Sequence, residues 1–390
     1  MSRKNGKFLD IERDVKERYA KGAARKEEAL CSPVSYDPKY LKVIPLEILE
    51  KDYGCGDPTK FVKEGDTVLD LGSGSGKTCY IASQVVGPKG KVIGVDFGQE
   101  MLALARRYQE EMSRRIGYRN VEFKRGRIQD LKTDLDQIDR YLSVHPLSSA
   151  EDYLRFEAVK ERMREENPLI RTESIDVTLS NCVLNLVRPE DKKELFREMH
   201  RVLKKGGRVA VSDIVSDEPM PEALQKDPEL WSGCISGAFQ EKEFLQAFEE
   251  AGFYGIKIEK RDEKPWRAIE GIEFRSLTVT AYKGKEGPCW ERNQAVIYKG
   301  PWKQVEDDDR HLLKRGVRTA VCDKTFQIFS KGPYRNDLIL VSPRKEIPLS
   351  KAKPFECSRN PERDPRETKG MRYKKTSKHP ESVCGEGGCC

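Results

Sequence analysis

Asp70-Leu71-Gly72-Ser73-Gly74-Ser75-Gly76 directly follows a short apolar run, residues 67–71, that turn residues flank and that reads as a β-strand. Behind it, Cys79, Ala82 and Val86 recur at helical spacing. A glycine-rich loop between a strand and a helix lets the backbone come close to a ligand, which makes Gly72 and Gly74 candidate contacts. Working outward, residues 91–95 read as a second strand, and a third strand and helix pair starts near Val121. A fourth strand covers residues 175–180. The helix behind it, residues 189–204, has Pro189 in its first turn and is expected to end at Gly206 and Gly207. Residues 208–213 read as a fifth strand, and residues 255–260 and 275–282 as closing strands. This alternation implies an α/β fold, a doubly wound parallel sheet with helices on both faces. In such a sheet a ligand lies at the carboxyl ends of the strands, where the strand order reverses.

Upstream, residues 10–30 read as a helix, residues 31–45 as a Pro-punctuated segment and residues 46–51 as another helix. Residues 131–172 interrupt the alternation with a highly charged helical insertion, for which Ser148 and Glu151 form a capping box. Residues 285–356 carry short apolar runs between turn residues and are expected to form a small β-rich C-terminal domain, after a first domain of residues 1–284. Residues 357–390 form a polar, basic tail that ends in cysteines and is expected to be disordered.

The 390 residues contain no run of about 18 apolar residues, and residues 1–10 lack the apolar stretch of a secretory signal, so a cytoplasmic protein with no membrane partner is expected. The 11 cysteines, spread along the chain, are then expected to be free thiols. The net charge of +7 is concentrated in residues 331–380, with 14 Lys or Arg against 6 Asp or Glu, and leaves the rest near neutral. No basic groove interleaved with aromatic residues is evident, which speaks against a nucleic-acid partner. A monomer is expected.

Asp96 stands 20 residues after Gly76 at the end of the second strand, where a carboxylate can accept from both hydroxyls of a ribose. That pairing fits any adenosyl cofactor, and the loop alone also fits a structural turn. However, the loop reads G-x-G-x-G behind Asp70 and not G-x-G-x-x-G. Here the chain resembles the Rossmann-like, seven-strand S-adenosylmethionine methyltransferases. The resemblance implies that Asp70 faces the amino-acid end of the cofactor, that Ile128 and Gln129 border the adenine, and that Asn181 approaches the methionine moiety.

Methyltransferases acting on oxygen or nitrogen often place a general base near the methyl group. No such signature is present. Where many nitrogen methyltransferases show Asp or Asn followed by Pro-Pro and an aromatic residue, this chain reads Asn181-Cys182-Val183-Leu184-Asn185-Leu186. Two further cysteines sit among glycines, which on this reading keep the thiols accessible: Tyr53-Gly54-Cys55-Gly56 and Trp231-Ser232-Gly233-Cys234-Ile235-Ser236-Gly237-Ala238.

With the glycine loop, these segments resemble the arsenite methyltransferase family over roughly residues 31–322. The resemblance implies that Cys182 and Cys234 hold arsenic, that Cys55 joins them, that Cys31 is a fourth participant, and that Tyr53 helps close the site. Trivalent arsenic is thiophilic, and three thiolates bind it as a pyramid with its lone pair outward. The lone pair has no proton to lose, so the enzyme has only to align it with the methyl group, and such positioning can lower a barrier by up to ~7–11 kcal/mol. Methylation formally oxidises arsenic. Two electrons from a thiol pair, released as a disulfide, restore the trivalent state, and thioredoxin or glutathione regenerates the thiols. Detoxification and arsenosugar formation are both open as roles.

Cys79 is read as packing. Cys289 and Cys322 are given no catalytic role, and Cys384, Cys389 and Cys390 are expected to be mobile thiols, with capture of a metalloid and a dispensable end both open as readings. The insertion is longer than in animal members and offers a possible cover for the active site. The alternatives are a methyltransferase for another soft acceptor, such as selenium, tellurium or a small thiol, and a non-enzymatic, thiol-based metalloid-binding protein.

Overall fold

The structure, a computed structural model, describes residues 11–24, 34–357 and 361–370. It divides into two compact units, residues 1–284 and 285–390.

The first unit is built on β1 (Thr67–Leu71), β2 (Lys91–Asp96), β3 (Val121–Arg125), β4 (Ile175–Asn181), β5 (Leu203–Ser216), β6 (Phe239–Gln240), β7 (Tyr254–Arg261), β8 (Arg267–Ile269) and β9 (Ile272–Tyr282). Their order is β3-β2-β1-β4-β5-β9-β7, with β6 paired to β5 and β8 to β9. Strands β1 to β5 run parallel, and β9 is antiparallel to both β5 and β7. The order reverses between β1 and β4, which opens the crevice at their carboxyl ends.

Helices cover both faces of β1, so nearly all of it is buried, and its alternation divides the core in two. Leu69 and Leu71 pack toward Phe196, Phe244 and Phe248 on one side. Val68 packs with Val92 against Tyr80, Ile81 and Val86 of the helix Lys77–Val86 on the other. Asp70 shares the Val68 side and so comes under Cys79 of that helix. At Gly72 the chain turns with φ +71°, and a Cβ there would run into the side chain of Val183.

Several local expectations are corrected. The helix Pro189–Val202 ends before the glycines, and Gly206 and Gly207 lie inside β5. Buried Leu203 pairs with Ile175 and Arg208 with Val177, so residues 204–207 bulge out of the ladder, with Gly206 at φ +80°. The helix Ala150–Glu166 is capped by Ser149, whose hydroxyl accepts from Asp152 N at 3.1 Å and donates to its carboxylate at 2.7 Å. The capping box thus lies one residue beyond the Ser148–Glu151 pair. The helix Leu135–Val144 completes the insertion, and neither helix contains a fully buried residue. The first helix spans Ile11–Ala24, and residues 25–33, which include Cys31, lie outside the described residues.

The second unit contains a three-stranded antiparallel sheet, with Ala295–Tyr298 between Arg318–Ala320 and Leu338–Val341, and two smaller strand pairs. Its core gathers Val296, Val321, Phe326 and Phe329. The helix Asp323–Phe329 escapes periodicity because it spans only two turns. The tail expectation is corrected for residues 361–370, which are ordered against this sheet. Arg363 is 6% exposed, donates to both carboxylate oxygens of Glu291 at 2.8 Å, and its backbone N–H meets Arg318 O at 2.7 Å. A buried bidentate pair of this kind anchors the segment. Cys384, Cys389 and Cys390 lie outside the described residues.

Gly72→Ala is expected to destabilise the protein by about 1–3 kcal/mol, because both the backbone angle and the contact with Val183 become strained. Adding Val183→Ala is expected to recover the contact part only. Denaturant midpoints of both variants check this, and full recovery would show that the backbone angle is unimportant.

Candidate active site

A cleft of about 1130 Å³ lies at the carboxyl ends of β1 to β4, and all the predicted cofactor positions line it: Tyr53, Asp70, Gly72, Gly74, Asp96, Ile128, Gln129 and Asn181. Asp96 accepts from Gly74 N at 2.9 Å and Gly98 N at 2.8 Å, and so ties the glycine loop to the turn after β2. A carboxylate has about four acceptor positions, which leaves capacity for a diol. Ser73 Oγ is buried without a partner in the same lining, as a polar ligand would require. The lining therefore fits an adenosyl cofactor.

Asp70 is 2% exposed, and the Cys79 thiol donates to it at 3.2 Å. Burial raises its pKa to about 8, against the pull of that hydrogen bond, and the nearby carboxylates of Asp52 and Asp96 add to the rise. Cys79 therefore packs, as expected, and also holds Asp70.

Asn181 does more than border the cleft. Its Oδ1 accepts from Cys55 N at 2.9 Å and Gly56 N at 3.1 Å, and its Nδ2 donates to Gly56 O at 2.8 Å and the Tyr36 hydroxyl at 2.9 Å. The amide is fully used in holding the Cys55 loop against β4. A side chain at Gly54 would collide with Asn181 itself. The glycine thus serves close approach. It does not keep the thiol accessible, since Cys55 is 2% and Cys234 3% exposed.

Next to the cleft is a smaller cavity of about 260 Å³, lined by Tyr19, Tyr53, Cys55, Cys182, Ile214, Gly233, Cys234 and Trp266. Cys182 and the two tyrosines line both spaces. The three thiols come from loops far apart in sequence. Cys182 and Cys234 each adopt φ +62°, a left-handed conformation that costs a non-glycine residue about 1–3 kcal/mol and is concentrated at functional sites. Asp213 holds the Cys182 turn, accepting from Val183 N at 3.1 Å and Leu184 N at 2.8 Å. Asn185 donates to Ile214 O at 2.6 Å and Cys234 O at 3.2 Å, linking the Cys234 loop to β5.

None of the three thiols is poised to ionise. The Cys234 thiol is pushed well up by its hydrogen bond with Cys182 and then by burial. For Cys182 the hydrogen bond with Cys234 pulls down, but the one with Cys55 and burial outweigh it. Burial raises Cys55. Burial penalises three like charges close together, so these are held as neutral thiols where the sequence suggested thiolates.

Sequence reasoning missed Tyr19, Asp213, Asn185 and Trp266. Tyr19 stands 3.9 Å from Cys234 Sγ and meets Tyr53 edge-on at 6.0 Å. Tyr53 is tied to the same helix through Gly22 O at 3.1 Å, and Arg18 reaches Ser232 Oγ at 3.0 Å. The signals were a Val15, Tyr19, Ala23 stripe at helical spacing and a lone acidic residue inside the apolar run of residues 209–215. No residue of the 131–172 insertion lines either cavity, so the expected cover is not seen. Its helices sit by the β3 edge, held by ion pairs such as Arg164–Asp130 at 2.5 Å.

The profile of a methyltransferase domain matches residues 62–252, and that of a domain of unknown function matches residues 285–373. An arsenite methyltransferase of Aquipseudomonas alcaligenes is 31% identical over 76% of this chain and 80% of its own length. One from Mus musculus is 28% identical over 91% of this chain and 88% of its own. Among solved structures, an arsenic(III) S-adenosylmethionine methyltransferase from Chlamydomonas reinhardtii superposes with a TM-score of 0.55 at 25% identity, covering 83% of this chain and all of that one.

A neutral Asp70 cannot pair with a cation, so affinity for S-adenosylmethionine is expected to rise with pH and to level off above about 8, where the carboxyl has ionised. The slope is at most about tenfold per pH unit. In Asp70→Asn the dependence should vanish and affinity should fall. Calorimetric titrations from pH 6 to 9 check this, and a flat wild-type profile would contradict it.

Proposed function

The chain belongs to the arsenite methyltransferase family and is an S-adenosylmethionine-dependent methyltransferase; from this we propose that it methylates trivalent arsenic held by Cys55, Cys182 and Cys234. The observation that carries the reading is the convergence of three thiols beside the cofactor cleft, Cys55 and Cys234 buried and Cys182 partly buried and bordering both spaces. Asp70, Gly72, Gly74 and Asp96 hold the methyl donor, with Ile128 and Gln129 about its adenine.

Arsenite near neutral pH is the uncharged acid As(OH)3. Each As–O bond is exchanged for an As–S bond, and the three thiol protons leave with the three hydroxides as water. The product is an uncharged pyramid, which suits a buried site. Tyr19 and Tyr53 close the cavity, and Tyr19 stays a neutral phenol because burial, with Cys234 and Cys182 nearby, raises its pKa. The arsenic lone pair takes the methyl group from the sulfonium, and no base is required. Asp213 is a positioning residue: it fixes the Cys182 turn by accepting backbone N–H groups.

The methylated arsenic is formally pentavalent. Methyl transfer leaves a cationic arsenic with three sulfur ligands. Two of these leave as a disulfide, one bonding pair returning to arsenic and the other making the S–S bond, while an incoming thiol or water fills the vacated position and loses its proton to restore a neutral trivalent arsenic. Cys31 is a fourth thiol for exchange, and thioredoxin or glutathione reduces the disulfide. The biological role on this reading is arsenic detoxification. No described helix is long and apolar enough to cross a membrane.

Incubation with arsenite, S-adenosylmethionine and glutathione is expected to yield methylated arsenic by mass spectrometry, and none when arsenite is omitted. If the cofactor binds but no arsenic is methylated, the acceptor is a different soft atom. Cys182→Ser and Cys234→Ser are each expected to abolish turnover and leave cofactor affinity within about twofold; active variants would remove these residues from the ligand set. Because neutral thiols and neutral As(OH)3 release only water, the binding enthalpy near pH 7 should not vary with the ionisation enthalpy of the buffer. Uptake of protons on binding would instead mean resident thiolates.

A further inference from the structure

A second group of three cysteines lies in the small unit, within the region that a domain of unknown function matches. The sulfurs of Cys289, Cys322 and Cys357 all lie within 4.8 Å of one another. Each comes from a different element. Cys289 directly precedes the strand Trp290–Glu291, and Cys357 follows the strand Lys353–Pro354. These strands pair antiparallel, Trp290 with Pro354, and Phe355 N donates to Cys289 O at 2.9 Å, which sets the approach of Cys289 to Cys357. Cys322, just ahead of the helix Asp323–Phe329, is fully buried, with its sulfur 3.2 Å from Thr325 Oγ1. Cys289 and Cys357 are partly exposed, so the group has a buried floor and an open rim, and all three thiols are free.

The donor set narrows what it can hold. Among the described residues no His, Asp, Glu or fourth Cys joins the three. Structural zinc almost always takes four protein ligands. Three thiolates around a divalent ion would also leave a net negative charge on a partly buried site. Three thiols match a trivalent, three-coordinate thiophile, because three thiolates around a 3+ centre give a complex of no net charge.

We propose that Cys289, Cys322 and Cys357 form a second binding site for trivalent inorganic arsenic, separate from the methylation site. This rests on the reading that trivalent arsenic is the substrate. As(OH)3 exchanges three As–O bonds for three As–S bonds and releases three molecules of water, with no change of oxidation state. A methylated arsenic carries one or two As–C bonds that thiols do not displace, so it cannot engage all three sulfurs. The site therefore selects unmethylated arsenite over the reaction's products.

The test uses the full chain, loaded with excess sodium arsenite, desalted, and assayed for arsenic per chain and for alkylation of Cys289 and Cys357 by N-ethylmaleimide with peptide mass spectrometry. Wild type is expected to lose one arsenic per chain in the Cys182→Ser/Cys234→Ser variant and, independently, one in Cys357→Ser. Thiols elsewhere in the chain are common to all forms and cancel in the differences. Arsenite should slow alkylation of Cys289 at least tenfold in wild type and not in Cys357→Ser, and monomethylarsonous acid should protect it far less. Cys322→Ser should behave as Cys357→Ser does; if that buried change prevents folding, the rim variants Cys357→Ser and Cys289→Ser carry the test. Unchanged arsenic content in Cys357→Ser, equal protection by the methylated compound, or one zinc per chain that disappears in that variant would each overturn the proposal. If only the Cys182/Cys234 difference appears, the methylation site stands and this one falls. If only the Cys357 difference appears, this site stands and the proposed ligands of the methylation site fall.

Discussion

The proposed methylation site depends on one buried carboxamide. Asn181, the last residue of β4, spends both ends of its amide on the Cys55–Gly56 backbone and on Tyr36, and so carries a loop 125 residues away onto the end of the sheet. Its Oδ1 and Nδ2 imitate a neighbouring strand, pairing with N–H and C=O groups that would otherwise be buried unsatisfied. Gly54 and Gly56 are needed because any side chain there would displace Asn181 or Ser212. Without this clamp Cys55 has no reason to be near Cys182, and two thiols alone cannot enclose a three-coordinate ion.

The same logic continues along the chain after Asn181. Asp213 takes the backbone N–H groups that the left-handed Cys182 would leave without partners, and Asn185 fastens Cys234 to β5. Two strained cysteines are thereby kept in place by two buried polar side chains, Asp213 inside β5 and Asn185 in the turn after β4. Burial has a chemical consequence as well as a geometric one. It keeps the thiols protonated, which is compatible with condensation on neutral arsenous acid and protects the sulfurs from ready oxidation while no substrate is present.

The helix Ile11–Ala24 is the lid of this arrangement. It brings Tyr19 to Cys234, holds Tyr53 through Gly22 O, and is latched by Arg18 to the segment Pro228–Ser232 just ahead of Cys234. Cofactor cleft and thiol cavity share this cover. A single element can therefore exclude water from both partners of the methyl transfer.

Local patterns suffice to read the α/β core and to single out the glycine loop and the three cysteines that the fold brings together. Apolar runs such as residues 67–71 have one period, the glycines behind them have few uses, and Asp96 stands at a fixed interval. The same patterns misplace features that they decide poorly: the end of the helix at Val202, the capping residue Ser149, and the ordered segment at residues 361–370, whose anchor is the distant Glu291. Contacts between distant segments fix which polar groups serve the cysteines, that burial keeps Cys55, Cys182 and Cys234 protonated, and that Cys289, Cys322 and Cys357 meet. The physical reason is the same in each case. Burial, backbone strain and the convergence of loops are properties of contacts between segments tens to hundreds of residues apart, and no local pattern of residues encodes them.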